Sequence, residues 1–326
     1  MAINVQQSLA QVADLDTLNT MLDPLSMRAG WNKTEPSLWP NPRTSFQPAS
    51  WSWAVAKAGL DSAGRLINTD KADRRNLFLV NPMEGNYYAT LRTLVSAYQM
   101  IMPGERAKSH RHTPNALRLV LDVGEDVYTV VDGVRLDMSP GDVVLTPGWS
   151  WHGHGNDGNA KGYWIDFLDV PLVQLLEPMF LEHWPEGFQT PEQKTRQSPF
   201  VFGWSDTERG LAAAKPDQHG RTRIELGDPA LPTIALHMEK VGGGASTRTM
   251  RTTSSQIVCV VSGEGSSKIG DREFQWSKGD AIAIPSWHPF SHKAKSEAVL
   301  FTVSDEAALK KLNLLHVESP PGSSNP

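Results

Sequence analysis

Residues 138–157 read MSPGDVVLTPGWSWHGHGND, and the fold assignment starts from this stretch. A Ser-Pro-Gly-Asp turn leads directly into the apolar run VVLTP, which is typical of a β-strand that follows a tight turn. Similar short runs extend from Thr90 to Asp169, among them LRLVLDV and VYTVV. This texture predicts a small β-barrel or jelly roll.

The same order of residues returns in the second half of the chain. In the first half, PGERAKSHRHT (103–113) precedes VVDGVRLDMSPGDVVLTPGWSWHGH (130–154); in the second, GGGASTRTMRT (242–252) precedes KIGDREFQWSKGDAIAIPSWHPFSH (268–292). Each copy has a hairpin turn, then a Gly-Asp pair, then a strand that runs into Pro, Trp and His. A diverged repeat of this kind resembles the bicupins, which carry two jelly-roll barrels of the cupin superfamily in one chain.

We therefore predict a mainly β bicupin with five parts. Apolar residues recur at helical spacing in QSLAQVADLDTLNTML and VPLVQLLEPMFLEHW, outside the two β-rich blocks. The predicted parts are an N-terminal helical and extended segment that covers the barrel (1–89), a metal-binding, catalytic cupin (90–169), a helical linker (170–230), a metal-free, structural cupin (231–310) and a C-terminal tail (311–326).

The composition excludes several other classes of protein. With 326 residues, 39% of them hydrophobic, and a net charge of -5, the chain is neither disordered nor basic enough to indicate nucleic-acid binding. Its single cysteine, Cys259, cannot form an internal disulfide, and no apolar run approaches the roughly 20 residues that span a bilayer. We expect a cytoplasmic protein with no membrane role, and the polar N-terminus shows no signal-peptide pattern.

Four of the ten histidines lie within 45 residues. His110 and His112 are two residues apart on a predicted strand, so both imidazoles point to one face, and His152 and His154 repeat the spacing on a later strand. This is the geometry of a metal site, although imidazole suits Fe, Zn, Cu and Ni alike. Ordinary core or surface histidines are the alternative, most of all for His154 taken alone.

The expected carboxylate ligand is missing. Many cupins have a glutamate a few residues after the first His-x-His, but residues 113–118 read TPNALR. Three neutral imidazoles leave a divalent ion with its full charge and with open positions, which favours a dianionic chelating substrate such as an acidic aromatic compound.

Several runs resemble the gentisate 1,2-dioxygenase family and its salicylate 1,2-dioxygenase relatives. They are RRNLFLVNP (74–82), QMIMPGE (99–105), SHRHTPNALRLV (109–120), YTVVDG (128–133), MSPGDVVLTPGWSWHGHGND (138–157) and WIDFLDVPLV (164–173). The resemblance implies one Fe(II) per chain, bound by His110, His112 and His152, a small aromatic acid and O2 as substrates, and a homotetramer.

It also implies roles for five further residues. His154 approaches the substrate hydroxyl for proton transfer and Asp166 orients it; Arg118 holds the substrate carboxylate; Gln99 and Arg74 contribute to the pocket. An imidazole beside a carboxylate can accept a proton near neutral pH, and the guanidinium fork suits a carboxylate. The alternatives are a surface histidine with a structural aspartate, a structural ion pair for the arginine, and solvated or capping roles for the last two.

The implied reaction is an extradiol-type ring cleavage between the carboxyl-bearing and hydroxyl-bearing carbons, with both oxygen atoms retained; gentisate would give maleylpyruvate. The resemblance implies a Trp and a Gly near Val95 and Ala97 in the salicylate-cleaving members, and neither is present here. A salicylate with a nitro, halo, amino or hydroxy substituent para to the hydroxyl, such as 5-nitrosalicylate, therefore fits as well as gentisate. The alternatives are a bicupin decarboxylase or isomerase, and a non-catalytic bicupin binding protein.

The second block departs from the first at the metal positions. It has Met250-Arg251-Thr252 where the first has His-Arg-His, and only His288 and His292 remain near the later position. Thioether, guanidinium and hydroxyl groups do not replace imidazoles, so we predict that this barrel binds no iron and serves packing or subunit contact.

Overall fold

The computed structural model describes residues 5–68, 72, 74–217, 221–227 and 231–319. The chain divides into two compact units, Met1–Arg43 and Thr44–Pro326. The smaller unit contains the helices Val5–Ala10 (α1) and Leu15–Leu22 (α2) and a 3-10 turn at Asp23–Leu25. The second helix begins where the Asp14 carboxylate accepts a hydrogen bond from the backbone N–H of Thr17 at 2.8 Å.

The larger unit is built mainly from short strands. In chain order they are Ala49–Trp51 (β1), Arg75–Phe78 (β2), Val95–Ile101 (β3), Arg106–His112 (β4), Ala116–Asp122 (β5), Val127–Val131 (β6), Val134–Asp137 (β7), Val143–Thr146 (β8), His152–Asn156 (β9), Gly162–Leu168 (β10), Leu181–His183 (β11), Gln193–Thr195 (β12), Val201–Phe202 (β13), Thr222–Glu225 (β14), Ala235–Val241 (β15), Arg251–Thr252 (β16), Gln256–Ser262 (β17), Glu264–Ile269 (β18), Arg272–Ser277 (β19), Ala281–Ile284 (β20), Phe290–Ala294 (β21), Ala298–Ser304 (β22) and Val317–Glu318 (β23). Its helices are Trp53–Leu66 (α3), Val170–Leu176 (α4), Trp204–Ala213 (α5) and Glu306–Lys311 (α6).

These strands form two barrels with matching strand orders. The first barrel has the sheets β13-β8-β5-β10-β3-β2 and β11-β4-β9-β6-β7-β12. The second has β1-β20-β17-β22-β15-β14, a three-stranded sheet β19-β18-β21 and the pair β16-β23. The predicted mainly β bicupin fold is confirmed.

The repeated Gly-Asp pair marks the same structural feature in both barrels. Gly141 and Gly279 have φ values of +88° and +87°, in the left-handed region that favours glycine. A Cβ at these positions would lie 2.9 Å from the Trp204 ring and 2.5 Å from the Trp53 ring, respectively. The aspartate that follows each glycine accepts the backbone N–H of the same tryptophan at 2.8 Å. Each pair therefore fixes the start of one helix, α5 or α3, against its barrel.

The large sheets of the two barrels share one hydrophobic core. Alternate residues of β10 point to opposite faces. Ile165 and Phe167 enter the shared core, where the Phe167 ring meets Phe301 of the second barrel edge-on at 5.7 Å. Asp166, between them, faces the interior of its own barrel. The same strand thus holds the barrels together and supplies the site.

The segments outside the two β-rich blocks, for which we expected a covering segment, a helical linker and a tail, also contribute strands to the sheets. β1 pairs with β20 of the second barrel and β2 with β3 of the first, so residues 44–89 are partly strand. The expected helical linker contains two helices but also four short strands, β11 to β14. In the expected tail, β23 pairs with β16, and residues 320–326 lie outside the described residues. Edge-strand pairing between distant segments leaves little trace in local sequence.

Candidate metal and substrate site

Three histidines converge inside the first barrel. His110 and His112 lie on β4, and His152 on the adjacent β9 is directly opposite His110. The ring centroids are 4.5 to 5.4 Å apart, and the candidate ligand atoms all lie within 4.8 Å of one another. Within the described ranges, this is the only group of three or more His, Cys, Asp or Glu side chains with such spacing.

Backbone carbonyls orient two of the three imidazoles. His112 Nδ1 lies 2.8 Å from the carbonyl oxygen of Pro114, and His152 Nδ1 lies 3.0 Å from that of Ser150. A ring nitrogen that donates to a carbonyl fixes the tautomer, so Nε2 of each ring carries the free lone pair. The donor set therefore fits a divalent ion held through Nε2 atoms.

The third imidazole has two competing neighbours. His110 Nδ1 is 3.4 Å from the Lys108 carbonyl oxygen and 2.9 Å from an Arg74 guanidinium nitrogen. A guanidinium can only donate, so it favours an unprotonated Nδ1, which is the opposite tautomer from that of the other two rings. Ligation through Nε2 requires the Nδ1 proton to point to the carbonyl instead.

All three imidazoles are neutral at pH 7. Burial, with Arg74 adding to it, lowers the pKa of His110 to about 2. Burial also lowers the pKa of His112 and holds that of His152 well below its ordinary value. Neutral rings keep the lone pairs that a metal needs.

A buried polar wall faces the histidines. Arg118 on β5 and Asp166 on β10 are cross-strand partners, 1% and 3% exposed, with 3.4 Å between Nε and Oδ1. Gln99 donates a hydrogen bond to the other carboxylate oxygen of Asp166. Neither Arg118 Nε nor Asp166 Oδ1 has a hydrogen-bond partner among the described residues. Burial raises the pKa of Asp166, whereas Arg118 lowers it.

His154 lies behind this wall. Its Nδ1 is 2.6 Å from Arg118 Nη1 and 3.1 Å from Thr129 Oγ1, and its ring packs 5.2 Å from Trp164. His154 does not line the cavity, and the expected direct contact between His154 and Asp166 is absent because the Arg118 side chain lies between them. Sequence spacing does not show that the long side chain of Arg118, from β5, lies between His154 and Asp166 on two other strands.

The cavity has a volume of about 490 Å³ and an apolar slot beside the polar wall. Seven of the eight predicted site residues line it, and so do Val95 and Ala97. The sequence reasoning missed Asn76, Phe78, Tyr87, Tyr88, Ala116, Leu168, Val170 and Gln174. The only sequence signal for these was their closeness to matched motifs. The full lining is Arg74, Asn76, Phe78, Tyr87, Tyr88, Val95, Ala97, Gln99, His110, His112, Ala116, Arg118, His152, Asp166, Leu168, Val170 and Gln174.

The second barrel has no such imidazole group among its described residues. Strand register places Met250 opposite Phe290, as His110 is opposite His152, and Thr252 two residues further along. His292 then matches His154, and its Nδ1 lies 2.7 Å from Ser267 Oγ. His152 is therefore matched by a phenylalanine rather than by either remaining histidine.

Known proteins similar to this chain include named dioxygenases, and a cupin domain model matches the chain twice. The cupin domain model matches residues 97–168 and 237–304. Gentisate 1,2 dioxygenase 1 of Aquipseudomonas alcaligenes is 34% identical over 312 residues, covering 86% of this chain and 90% of the relative. 5-Aminosalicylate 1,2-dioxygenase of Comamonas sp is 31% identical, covering 92% of this chain and 89% of the relative.

The fold matches a solved member as well. The crystal structure of salicylate 1,2-dioxygenase from Pseudaminobacter salicylatoxidans superposes with a TM-score of 0.84 at 27% identity, covering 94% of this chain and 99% of that one. In the described part of the chain, every helix is too short or too polar to cross a membrane. With its two cupin domains and its histidine triad, this chain belongs to the gentisate 1,2-dioxygenase family of ring-cleaving oxidoreductases.

Proposed function

We propose that the protein is an Fe(II)-dependent dioxygenase that cleaves gentisate or a 5-substituted salicylate between the carboxyl-bearing and hydroxyl-bearing carbons. The observation that carries this proposal is the meeting of three neutral imidazoles with a buried guanidinium at one end of an apolar slot. The relatives support the substrate class, since they include enzymes named for gentisate, 5-aminosalicylate and 5-nitrosalicylic acid.

His110, His112 and His152 would hold the ion. When bound, it would supply a Lewis-acidic, redox-active centre at which the substrate and O2 meet. Three neutral ligands leave its charge to be balanced by the carboxylate and hydroxyl oxygens of the substrate. We infer one ion per chain, because the second barrel has Met250, Thr252 and Phe290 at the equivalent positions.

Arg118 would bind the substrate carboxylate, assisted by Arg74 and Gln99. The Arg118 guanidinium is buried and its Nε has no hydrogen-bond partner among the described residues, so it has capacity for another acceptor. A charge-assisted bond in such a site contributes more than one in water. Behind the guanidinium, His154 and Thr129 hold Nη1 in place.

The two proposed catalytic side chains would then act at different depths. Asp166 lines the cavity, and its Oδ1 can accept the proton of the substrate hydroxyl. Burial raises the pKa of this carboxyl group, which suits it to hold a proton. His154 reaches the cavity only through Arg118, so we propose that it contributes by orienting that guanidinium.

The slot would hold the ring, and its outer end would meet the substituent. Val95, Ala97, Ala116 and Leu168 leave room for a planar ring. At the outer end, Tyr88 donates a hydrogen bond to Gln174, and both side chains line the cavity. Polar groups at this end of the slot favour a ring with a hydroxy, amino or nitro substituent over an unsubstituted ring.

The test is anaerobic Fe(II) reconstitution, followed by oxygen uptake and product analysis with gentisate, salicylate, 1-hydroxy-2-naphthoate and 5-substituted salicylates. We expect one O2 consumed per ring cleaved, about one iron per chain, and loss of both in His110→Ala. His183→Ala is the matched control, because that ring lies 6.4 Å from His110 but outside the triad. No uptake by iron-loaded protein with any of these acids refutes the proposal. Release of CO2 without uptake would instead support a decarboxylase.

We further propose a homo-oligomer, a tetramer by family resemblance, in the cytoplasm. The free, buried Cys259 is consistent with a reducing compartment. Light scattering on the iron-loaded protein tests the subunit count; a monomer at assay concentration would refute it.

A further inference from the structure

The second barrel contains a cavity of its own, in the place that corresponds to the catalytic cavity. It has a volume of about 550 Å³. Met250 and Thr252 line it at the positions where the first barrel has His110 and His112. The second barrel thus has an open cavity at this place, although it lacks the imidazoles of the first.

Two buried polar side chains lie where the first barrel has its apolar slot. His237 matches Ala97 in strand register, and Gln256 matches Ala116 as the first residue of its strand. They are 4% and 7% exposed, and both line the cavity. The charges of Arg223 and Glu306 act on the His237 ring, and no described residue forms a hydrogen bond with the Gln256 amide. Polar side chains this deeply buried usually have hydrogen-bond partners, so a water or a ligand in the cavity is the natural partner for the Gln256 amide.

At the inner side of the cavity lies a buried arginine with spare donor capacity. Arg221, 4% exposed, forms an ion pair with Glu239 through Nε and Nη2. Its Nη1 donates to the Met250 thioether at 3.0 Å, and a thioether is a weak acceptor. A carboxylate oxygen entering the cavity would be a stronger partner for this nitrogen.

The remaining lining groups narrow the class of ligand. Three carboxylates, of Asp217, Glu225 and Glu306, line the cavity together with two guanidiniums, of Arg221 and Arg223. Asp217 pairs with Arg223 at 3.6 Å, and Glu306 pairs with Lys310 at 2.8 Å. Burial, then Arg223, lowers the pKa of His237 to about 4, so its ring is neutral at pH 7. This balance disfavours a dianion and a lone cation. His237 and Gln256 obstruct a ring, and no metal-ligand group of three acidic, Cys or His side chains forms here within the described residues.

We propose that this cavity binds a small, non-aromatic zwitterion, whose carboxylate is held by Arg221 and whose ammonium group meets the carboxylates, with His237 and Gln256 bonding its polar atoms. The site is independent of the iron and of ring cleavage. It gives the second barrel a ligand-binding role in addition to packing.

Isothermal titration of the full-length, iron-loaded protein tests the proposal with four probes of one chain length. The probes are 5-aminopentanoate, L-2-aminopentanoate, pentanoate and pentylamine. We expect one or both zwitterions to bind once per chain. The affinity should be about tenfold or more above that of pentanoate and pentylamine, which each carry a single charge. The proposal is overturned if neither zwitterion binds at millimolar concentration, or if an analogue binds equally well.

Two variants localise the binding. Gln256→Leu and His237→Phe should each weaken zwitterion binding about tenfold or more while leaving ring cleavage unchanged, because both lie outside the catalytic cavity. Thermal unfolding of each variant shows whether it is folded, and the leucine variant serves if the phenylalanine variant is not. Undiminished binding in a folded variant places the ligand elsewhere and rejects the site.

Discussion

Gln99 in the first barrel and Glu239 in the second occupy the fifth position of equivalent strands, β3 and β15. In the first barrel the amide bonds Asp166, beside Arg118. In the second the carboxylate itself neutralises a buried arginine, Arg221. One fold thus arranges buried charge in two ways: the first barrel places an amide beside Arg118 and Asp166, and the second places a carboxylate against Arg221.

The two barrels also differ in one cross-strand pair, on β5 and β10 of the first barrel and on β17 and β22 of the second. Arg118 and Asp166 are partners in register, and the matching partners in the second barrel are Val258 and Thr302. The second barrel therefore shows that the strands fold without the ion pair. If the proposed substrate site is right, we expect the first barrel to keep this pair for binding rather than for stability.

Removing the arginine should give the largest effect. Arg118→Val should lower kcat/KM about a thousandfold, because the substrate carboxylate loses its charged partner. It should also destabilise the fold by about 3–5 kcal/mol, since Asp166 remains buried and unpaired. Steady-state kinetics and urea unfolding measure the two effects.

The double variant separates stability from function. Arg118→Val with Asp166→Thr imports the pair of the second barrel, and we expect it to recover most of the lost unfolding free energy but none of the activity. If the double variant is no more stable than Arg118→Val alone, the first barrel does not accept the Val and Thr pair of the second. The view that its strands fold without the ion pair is then wrong.

The second barrel should respond to loss of its internal counterion. Glu239→Gln removes the carboxylate that pairs with Arg221, which is only 4% exposed, and should cost about 3–5 kcal/mol of unfolding free energy, with kcat/KM unchanged in the folded enzyme. The reciprocal Gln99→Glu places a carboxylate beside Arg118 and should raise KM strongly. Urea unfolding and oxygen-uptake kinetics distinguish the two results. Equal effects of both variants on KM would contradict the assignment of roles.

A histidine in the second barrel should make stability depend on pH. The pKa of His237 is about 4 in the folded protein, below its ordinary value of 6.5, so the unfolded chain binds more protons between these values. Its contribution to stability is complete above pH 6.5 and is lost as the pH falls toward 4. At pH 5 the wild type should lose about 2 kcal/mol that His237→Gln retains. Unfolding curves at pH 7.5 and 5 that shift in parallel would contradict this.

Local sequence identified the site better than its surroundings. His110, His112 and His152 could be predicted because strand periodicity and hydrogen-bonded neighbours bring such spacings together. The insertion of Arg118 between His154 and Asp166 could not, since it depends on side-chain reach across three strands. The strands donated by distant segments, such as β1, were equally hidden because a three-residue edge strand has almost no periodicity.

The smallest effect we predict concerns the contact between Arg74 and His110. The guanidinium lies 2.9 Å from Nδ1, where a proton must sit if Nε2 is to bind the metal, so it opposes loading. Arg74→Met should therefore tighten Fe(II) binding about tenfold while raising KM for the acid, and Arg74→Lys should keep the charge and shift both less. Competition with a chromophoric chelator under anaerobic conditions measures the affinity. Weaker binding in the methionine variant would show instead that Arg74 supports the ligand set, much as Arg221 contacts Met250 in the second barrel.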